Sequence, residues 1–428
     1  MTQASTSFAT AAAAAHRIPA LDVAHSAPGR AQRVAAAAVG SSLDRWRIVH
    51  VASIAQIAAD DWNRLFPDAS EDWGYFRACE AAGSQHFTFS AIAIYDGQRL
   101  IAAAPMFRLD YRLDTTLPAR FKRFGDWLAR VAPRLVKMPV LGLGSPMTEE
   151  CPIGLDAALD APARSRALAV LIDGMHAQAK AQHIKILALK DVTDADKQWA
   201  DRPLHAAGFA RMASLPVAIL PLPHTSIEGY LKTMPSRARS DMRRKFKSAE
   251  NIDVEWRDDI DDVYDEIIAL YRATRANRKA SYEAFDEVPE DYFRQVMRQS
   301  DGKARVMLCR IGGALASFNL CLVESDKVIG KFIGMNYELA RQHNLYFVNW
   351  MKVMEYCIEN EIPALQTGQT TYAVKARLGC KLKRSWIYFK HRGLVMGLLF
   401  RLAGPHLSLE AADPDLQALG DKAHYLAP

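Results

Sequence analysis

Twice along this chain, helical stretches lead into a strand–turn–strand meander, and a long helix and a further strand follow. That repeated order constrains the fold most, because antiparallel strands followed by a helical crossover build a mixed sheet with helices on its faces. In the first pass Trp46–Val51 reads as a strand, and a helix runs through Trp62 and Phe66. A second helix near Asp72–Ala82 has Ser70 as its expected cap. Asp96-Gly97 stands between the apolar runs His86–Tyr95 and Arg99–Tyr111, a strong short-range hairpin signal. A helix at 162–182, a strand Ile184–Lys190, a short helix near 203–208 and a strand Arg211–Leu222 complete the pass.

The second pass starts with helices at 262–278 and 289–299, the latter opened by Pro289 and stopped by Ser300-Asp301-Gly302. Arg305–Ile311 turns at Gly312-Gly313 into Ala314–Val323, and Lys327–Met335 is a third strand. A mostly apolar helix at 345–359 precedes strands Ala364–Gln366 and Ser385–Lys390. The expectation is an α/β (α+β) chain of two related lobes, each a mixed, largely antiparallel sheet flanked by helices. The lobes fall at 43–223 and 224–392, between a disordered tail at 1–42 and an amphipathic tail at 393–428.

Half of the 428 residues are hydrophobic and 24% are charged, which excludes a wholly disordered chain, collagen and a small disulfide scaffold. The six cysteines lie far apart, mostly in apolar runs, with no CxxC pair and no zinc-finger histidine spacing. No metal is expected, and free thiols acting as small hydrophobes suit a reducing, cytoplasmic setting. Residues 1–42 are rich in Ala, Ser and Thr, without the charge and Leu-rich stretch of a signal peptide. No run of 18 apolar residues is present, so a spanning helix is not expected.

The net charge of +6 conceals two cationic stretches. In Leu117–Met138, Phe121, Phe124, Leu128, Val131 and Leu135 recur at helical spacing, with Trp127 beside them. Arg120, Lys122, Arg123, Arg130, Arg134 and Lys137 surround that stripe against Asp126 alone. This insertion at 117–138 reads as an interfacial membrane helix or as a helix packed on its own lobe. The second stretch places Arg237, Arg239, Arg243, Arg244, Lys245 and Lys247 within eleven residues, opposed by Asp241. A basic helix over 235–250, with Ser236 as its cap, joins the lobes and calls for an anionic partner. There is no RNA-binding or helix-turn-helix signature and no aromatic interleaving.

The stretch Tyr230–Asn251, with its Tyr-Leu, short spacer and Ser/Arg-rich helix, resembles the linker helix of two-lobed bacterial acyltransferases of the GNAT superfamily. In particular it looks like the branch related to Fem-type peptidoglycan aminoacyltransferases. Gly368-Gln369-Thr370-Thr371-Tyr372-Ala373-Val374-Lys375-Ala376-Arg377-Leu378-Gly379-Cys380 is similar to that branch's closing motif. One departure is Gly334–Asn344, which lacks the glycine run that holds coenzyme A pyrophosphate in single-lobe acetyltransferases.

Acyl transfer to an amine requires a base for the amine, a donor for the carbonyl oxygen and an acid for the leaving thiolate. Glu338 or His343, where a strand gives way to the long helix, are catalytic candidates or else solvated loop side chains. Asn336, Tyr337 and Asn344 are candidates for substrate binding or turn residues. Asn319, mid-strand beside Ser317 and Cys321, is a substrate contact or a satisfied structural amide. The resemblance implies that Tyr372 donates to the oxyanion or thiolate and that Lys375 and Arg377 bind phosphates. Arg239, Arg243 and Arg244 are the candidates for the donor's phosphates.

The resemblance implies an N-acyltransferase with no bound cofactor, using acyl-CoA or an acyl carrier protein as cosubstrate. Bacterial ceramide synthases are acyltransferases of this superfamily. With the amphipathic insertion they suggest fatty acyl transfer to a lipid amine, a sphingolipid step on a long-chain base, by a peripheral protein on the inner membrane's cytoplasmic face. An anionic membrane surface would then be a partner. The alternatives are a Fem-type aminoacyltransferase with tRNA on the 237–247 cluster, and a non-catalytic lipid-binding or assembly module.

Overall fold

The computed structural model describes residues 46–112, 137–277 and 287–427. The Ala-rich start of the chain, the stripe Phe121–Leu135 and its cations Arg120, Lys122, Arg123, Arg130 and Arg134 lie outside the described residues, whereas Lys137 opens a strand.

Two mixed sheets carry the fold. The first contains β1 (Trp46–Val51), β2 (Thr88–Asp96), β3 (Arg99–Arg112), β4 (Lys137–Leu143), β6 (Ile186–Thr193) and β7 (Ala210–Ala213), with the short β5 (Gly154–Leu155) against β3. The second contains β8 (Val217–Pro221), β9 (Asp253–Arg257), β10 (Ala304–Ile311), β11 (Ala314–Val323), β12 (Val328–Met335), β13 (Ala364–Gln366) and β14 (Lys381–Lys383). The last strand, β15 (Ser385–His391), returns to the first sheet.

The sheets run β1-β2-β3-β4-β6-β15-β7 and β9-β10-β11-β12-β13-β8-β14, the same topology twice. Each has an antiparallel meander, then one parallel pair, β4 with β6 and β12 with β13. A helix makes each crossover, Ala161–Ala181 in the first half and Leu345–Glu359 in the second. The sixth place of each sheet is filled from the other half of the chain. β8 inserts between β13 and β14, and β15 inserts between β6 and β7.

This exchange corrects two strand expectations. Arg211–Leu222 is two strands in different sheets, separated at Ser214–Pro216, because Pro216 has no N–H to continue a ladder. Ser385–His391 follows β14 after one residue but pairs in the first sheet. The expected lobe border at 223/224 therefore lies beyond β8, a strand of the second sheet.

In chain order the helices used below are α1 (Ala59–Leu65), α2 (Trp73–Ala82), α3 (Ala161–Ala181), α4 (Asp194–Ala206), α5 (Ile227–Lys232) and α6 (Ser236–Phe246). They continue with α7 (Tyr264–Ala276), α8 (Tyr292–Gln299), α9 (Tyr337–His343), α10 (Leu345–Glu359), α11 (Tyr372–Arg377) and α12 (Leu394–Ala403). Asp72, not Ser70, caps α2, accepting from Tyr75 N at 3.1 Å. Ser70 instead donates its hydroxyl to Glu324 in the other half. α4 is longer than its apolar residues suggested because Thr193 caps it and Asp194 and Asp196 favour its first turn. α6 starts without the expected Ser236 cap, after Pro235.

Side-chain alternation divides the core. On β2, Ala91 and Ala93 face a cluster that also takes Phe318, Leu320 and Leu322 of β11, while Ile92 and Ile94 face α3. Buried residues of α1, α2, α7 and α8 join that shared cluster, so both sheets contribute to one apolar core. The opposite face of the second sheet packs on α6 and α10. All six cysteines are buried and unpaired. Among the described residues, no helix is long and apolar enough to cross a membrane.

Candidate active site

β12 and β13 are hydrogen-bonded over only two residue pairs, Val328–Leu365 and Ile329–Gln366. Beyond them β12 continues to Met335, and from Gly330 onward no described strand pairs with the side of it that faced β13. The two strands therefore open a wedge, one wall of which is β12 backbone that no strand pairs, with Met335 N–H at its far end donating to Thr274 Oγ1 at 2.9 Å. Gly330 stands close to the other wall, since a Cβ there would lie 3.5 Å from the Gln366 carbonyl oxygen.

A bulge at the throat of this wedge redirects a cation. The β11–β12 register passes from Leu320–Phe332 to Cys321–Gly330, leaving Lys331 as the extra residue. Lys331 donates to Glu71 Oε1 at 2.6 Å and to the Met147 carbonyl at 2.8 Å, and its side chain is 4% exposed. Burial opposes its charge, but Glu71 and Glu149 outweigh that and hold the amine protonated. Tyr75 also donates to the Met147 carbonyl, at 2.7 Å, and the Tyr292 hydroxyl lies 2.9 Å from Tyr75.

Met147 belongs to a loop of the first half, Ser145–Cys151, that reaches the wedge. Glu149 Oε2 accepts from Gln366 Nε2 at 2.7 Å, and Glu150 accepts from Lys383 at 2.7 Å. The carboxylate of Glu149 requires a donor, which orients the Gln366 amide and leaves Oε1 as an acceptor. That oxygen is buried and has no hydrogen-bond partner. Gln366 is thus a strand residue in the last paired position with one unmet acceptor at the wedge's throat.

Lys375, one turn into α11, completes the group. It is 4% exposed and donates to the carbonyls of Thr367 and, at 3.1 Å, of Gly368. Burial lowers its pKa to about 8, although Glu149 pulls the other way. Gly368 has φ +84°, and a Cβ there would meet Glu149 Oε1 at 2.8 Å, so glycine lets the loop pass between Glu149 and Lys375. Thr371 precedes α11 at φ +55°, a left-handed conformation that costs a β-branched residue energy.

The remaining sequence candidates divide by position. Tyr372 is fully buried and donates to the Pro216 carbonyl at 2.8 Å, a contact that anchors α11 to the β7–β8 break. Arg377 is exposed and donates to the Ala373 carbonyl, so it and Lys375 do not form one phosphate site. At the far end of β12, Asn336 caps α9 by accepting from Glu338 N and Leu339 N. Tyr337 is half-buried, Glu338 is exposed, and His343 is half-buried at the other end of α9. Asn344, at φ +53°, joins α9 to α10 and donates to Ser248 at 3.1 Å. Asn319 pairs with Met307 and Ile333 in register and accepts weakly from Cys321 Sγ.

On α6, Arg243 pairs with Glu228 of α5, and Arg244 pairs with Asp241 at 2.7 Å, all at exposed positions. The cluster is thus opposed by two carboxylates rather than by Asp241 alone, because α5 folds back beside it. Arg239 reaches only the Lys232 carbonyl, at 3.5 Å. Lys245 stands 3.8 Å over the Phe347 ring in the first turn of α10. Among the described residues, no group of three His, Cys, Asp or Glu side chains is placed to hold a metal ion.

Glu71, Glu149, Lys331 and Gln366 were not singled out in the sequence. Lys331 had a readable signal, a lysine inside the apolar run Val328–Met335. The partners of the other three come from the opposite half of the chain, so spacing carries no trace of them.

Residues 236–375 match the family model described as acetyltransferase (GNAT) domain. That stretch ends on Lys375 and contains both walls of the wedge. Among solved structures, the chain resembles the C-terminal domain of a protein assigned as a lysylphosphatidylglycerol synthetase, from Agrobacterium fabrum. The TM-score is 0.51 at 12% identity, over 80% of this chain and 94% of that one. FemX aligns at TM-score 0.49 and 14% identity, over 74% and 90% of the two chains. A tandem GNAT protein from the clavulanic acid biosynthesis pathway aligns at 0.48 and 14%, over 82% and 99%. No curated protein sequence matches the chain.

Proposed function

Given that residues 236–375 form an acetyltransferase (GNAT) domain, we propose that this acyltransferase moves a fatty acyl group from a thioester to the amine of a lipid, with a long-chain base as the specific acceptor. The observation that carries the amine is the buried, unpartnered Oε1 of Gln366 beside the Glu149 carboxylate. Two acceptors at the throat of an acyl-transfer wedge suit a group that arrives with N–H bonds and must lose a proton.

In this reading the thioester carbonyl lies along the edge of β12 that no strand pairs, where a backbone N–H short of Met335, whose own N–H is held by Thr274, can donate to the developing oxyanion. The amine nitrogen bonds to the acyl carbon, the C–S bond breaks, and the amine's proton passes to Glu149. Lys375, protonated and with one N–H not used by Thr367 or Gly368, donates to the leaving thiolate. A positioned acid of this kind contributes roughly 10²–10⁴ in rate. The donor's phosphates would lie by the first turn of α10, near Lys245, where a helix N-terminus favours anions. Both acyl-CoA and an acyl carrier protein present such a phosphate.

Untargeted lipid analysis of cells with and without the gene tests the reading. Loss of one N-acylated lipid class, with accumulation of its free amine, is the expected result. Unchanged lipids with altered peptidoglycan cross-bridges would overturn it in favour of aminoacyl transfer.

A further inference from the structure

The helix α12 is built inside out. Gly397 and Phe400 face the protein, and Gly404, just past the helix, does the same. A Cβ on Gly397 would stand 2.7 Å from the His391 carbonyl oxygen, and one on Gly404 would stand 2.8 Å from Ala210. Phe400 packs against Phe389 and His391 and joins the cluster of Phe107, Leu109 and Val140. At 100° per residue, Leu394, Val395, Leu398, Leu399 and Leu402 then occupy one continuous outward arc. These five side chains are between 50% and 93% exposed. A scattered exposed leucine means little, but a whole outward face of large apolar groups is not ordinary surface.

Charge identifies what covers that face. From Phe389 to Leu409, the strand end and helix that form this face, the sequence has three Lys and Arg residues and no Asp or Glu. Arg401 is exposed on the flank of the arc, and Arg392 precedes the helix, its backbone N–H bonded to the carbonyl of exposed Lys185. The cluster that seats Phe400 also contains Tyr111 and Met138, which pair in register one step from Arg112 and Lys137. Apolar groups rimmed by cations match an anionic lipid surface.

A second copy of the chain fits less well. A ten-residue helix is about 15 Å long and about 10 Å wide, so its face falls far short of the ~800 Å² per partner of a stable interface. The same length is half of the ~30 Å needed to cross a bilayer, so the helix lies along the surface.

We propose that α12 is a docking element that lies in the headgroup region of an anionic bilayer and buries Leu394, Val395, Leu398, Leu399 and Leu402 in it. The proposal rests on the lipid-amine reading for its purpose, since docking would bring a membrane-held amine to the wedge.

Sedimentation of the full chain with phosphatidylcholine vesicles, with and without phosphatidylglycerol, tests it. The wild-type chain should pellet with the phosphatidylglycerol vesicles at low salt. Leu398→Glu and Leu399→Glu should each weaken binding by about tenfold or more, and Arg401→Glu should weaken it less. The leucines are exposed, so these variants should keep the wild-type melting curve. As a second readout, Leu398→Cys carrying an environment-sensitive dye should shift to the blue on the same vesicles. No pelleting and no dye shift would overturn the proposal, as would a dimer in light scattering that Leu398→Glu dissociates while vesicles have no effect. The two readings separate in the same preparation. If Leu398→Glu loses vesicle binding but still acylates a water-soluble amine, docking holds independently of the chemistry. If the wild-type chain binds vesicles and acylates no amine, docking stands and the function assigned to the wedge fails.

Discussion

Lys375 is a lysine held where its charge is least welcome and where two carbonyls and a carboxylate justify it. Its ordinary pKa of 10.5 falls to about 8 in the folded chain because burial penalises the ammonium. The sign follows from proton counts. Below pH 8 both states are protonated and the full penalty applies, whereas between about 8 and 10.5 the unfolded chain holds a proton that the native chain has released. Unfolding free energy from this group should therefore rise with pH across that window, by at most about 3 kcal/mol. Urea titrations from pH 7.5 to 10.5 should show the rise in the wild type and its absence in Lys375→Met. Identical slopes would mean that Lys375 does not titrate as the burial implies. At this scale the sequence was only partly informative. Lys375 was visible in its motif, but with a phosphate-binding role rather than the proton donor's role that we propose for it. Glu149 and Gln366 were invisible, because each matters through a partner more than two hundred residues away, at 2.7 Å in space.

The elements were far more legible than the residues. β1, β11, β13 and α10 run where the apolar periodicity places them, and the Asp96-Gly97 hairpin turns where expected. Those elements are set by local patterns that tertiary contacts reinforce. The failures fall where tertiary structure decides. In Arg211–Leu222 Pro216 marked a break in the ladder, but nothing local says that Ser214–Pro216 passes the chain from one sheet to the other. The reciprocal step, from β14 in the second sheet to β15 in the first, takes the single residue Arg384. A strand exchange of this kind has a direct consequence for fragments. Residues 224–427 alone lack β8, so β13 and β14 lose the strand that pairs with both. Residues 46–223 alone lack β15, which pairs with both β6 and β7. Each fragment expressed alone should be insoluble or melt without cooperativity, and co-expression should recover a complex with the melting curve of the whole chain. Two fragments that each unfold cooperatively would contradict the exchange.

Across the whole molecule, the topology is repeated but the halves treat the parallel pair differently: β4 stays paired with β6 to its last residue, Leu143, whereas β12 runs six residues past its last pair with β13. In the first sheet, the Ser145–Cys151 loop follows β4, and its Cys151 N–H donates to the Asp191 carbonyl of β6. The same loop carries Met147 and Glu149 to the wedge of the second sheet, where Lys331 and Gln366 receive them. One half thus provides the scaffold and the Glu149 carboxylate to which we assign the amine's proton, and the other provides the stretch that matches the acetyltransferase domain. The outward apolar face of α12, mounted on the first sheet through β15, gives the assembly a side suited to a lipid surface. The net charge of +6 hid this arrangement, because carboxylates elsewhere offset an acid-free stretch of the chain. The central claim is that the wedge transfers an acyl group to a lipid amine with Lys375 as proton donor. The most direct measurement incubates the purified full chain with an acyl-CoA or acyl carrier protein thioester and a long-chain base in mixed micelles, and follows the N-acylated product by mass spectrometry. Product is expected from the wild type, with a rate roughly 10²–10⁴ lower for Lys375→Met and little change in KM for the base. No product from either thioester, or equal rates for the two proteins, would contradict the claim.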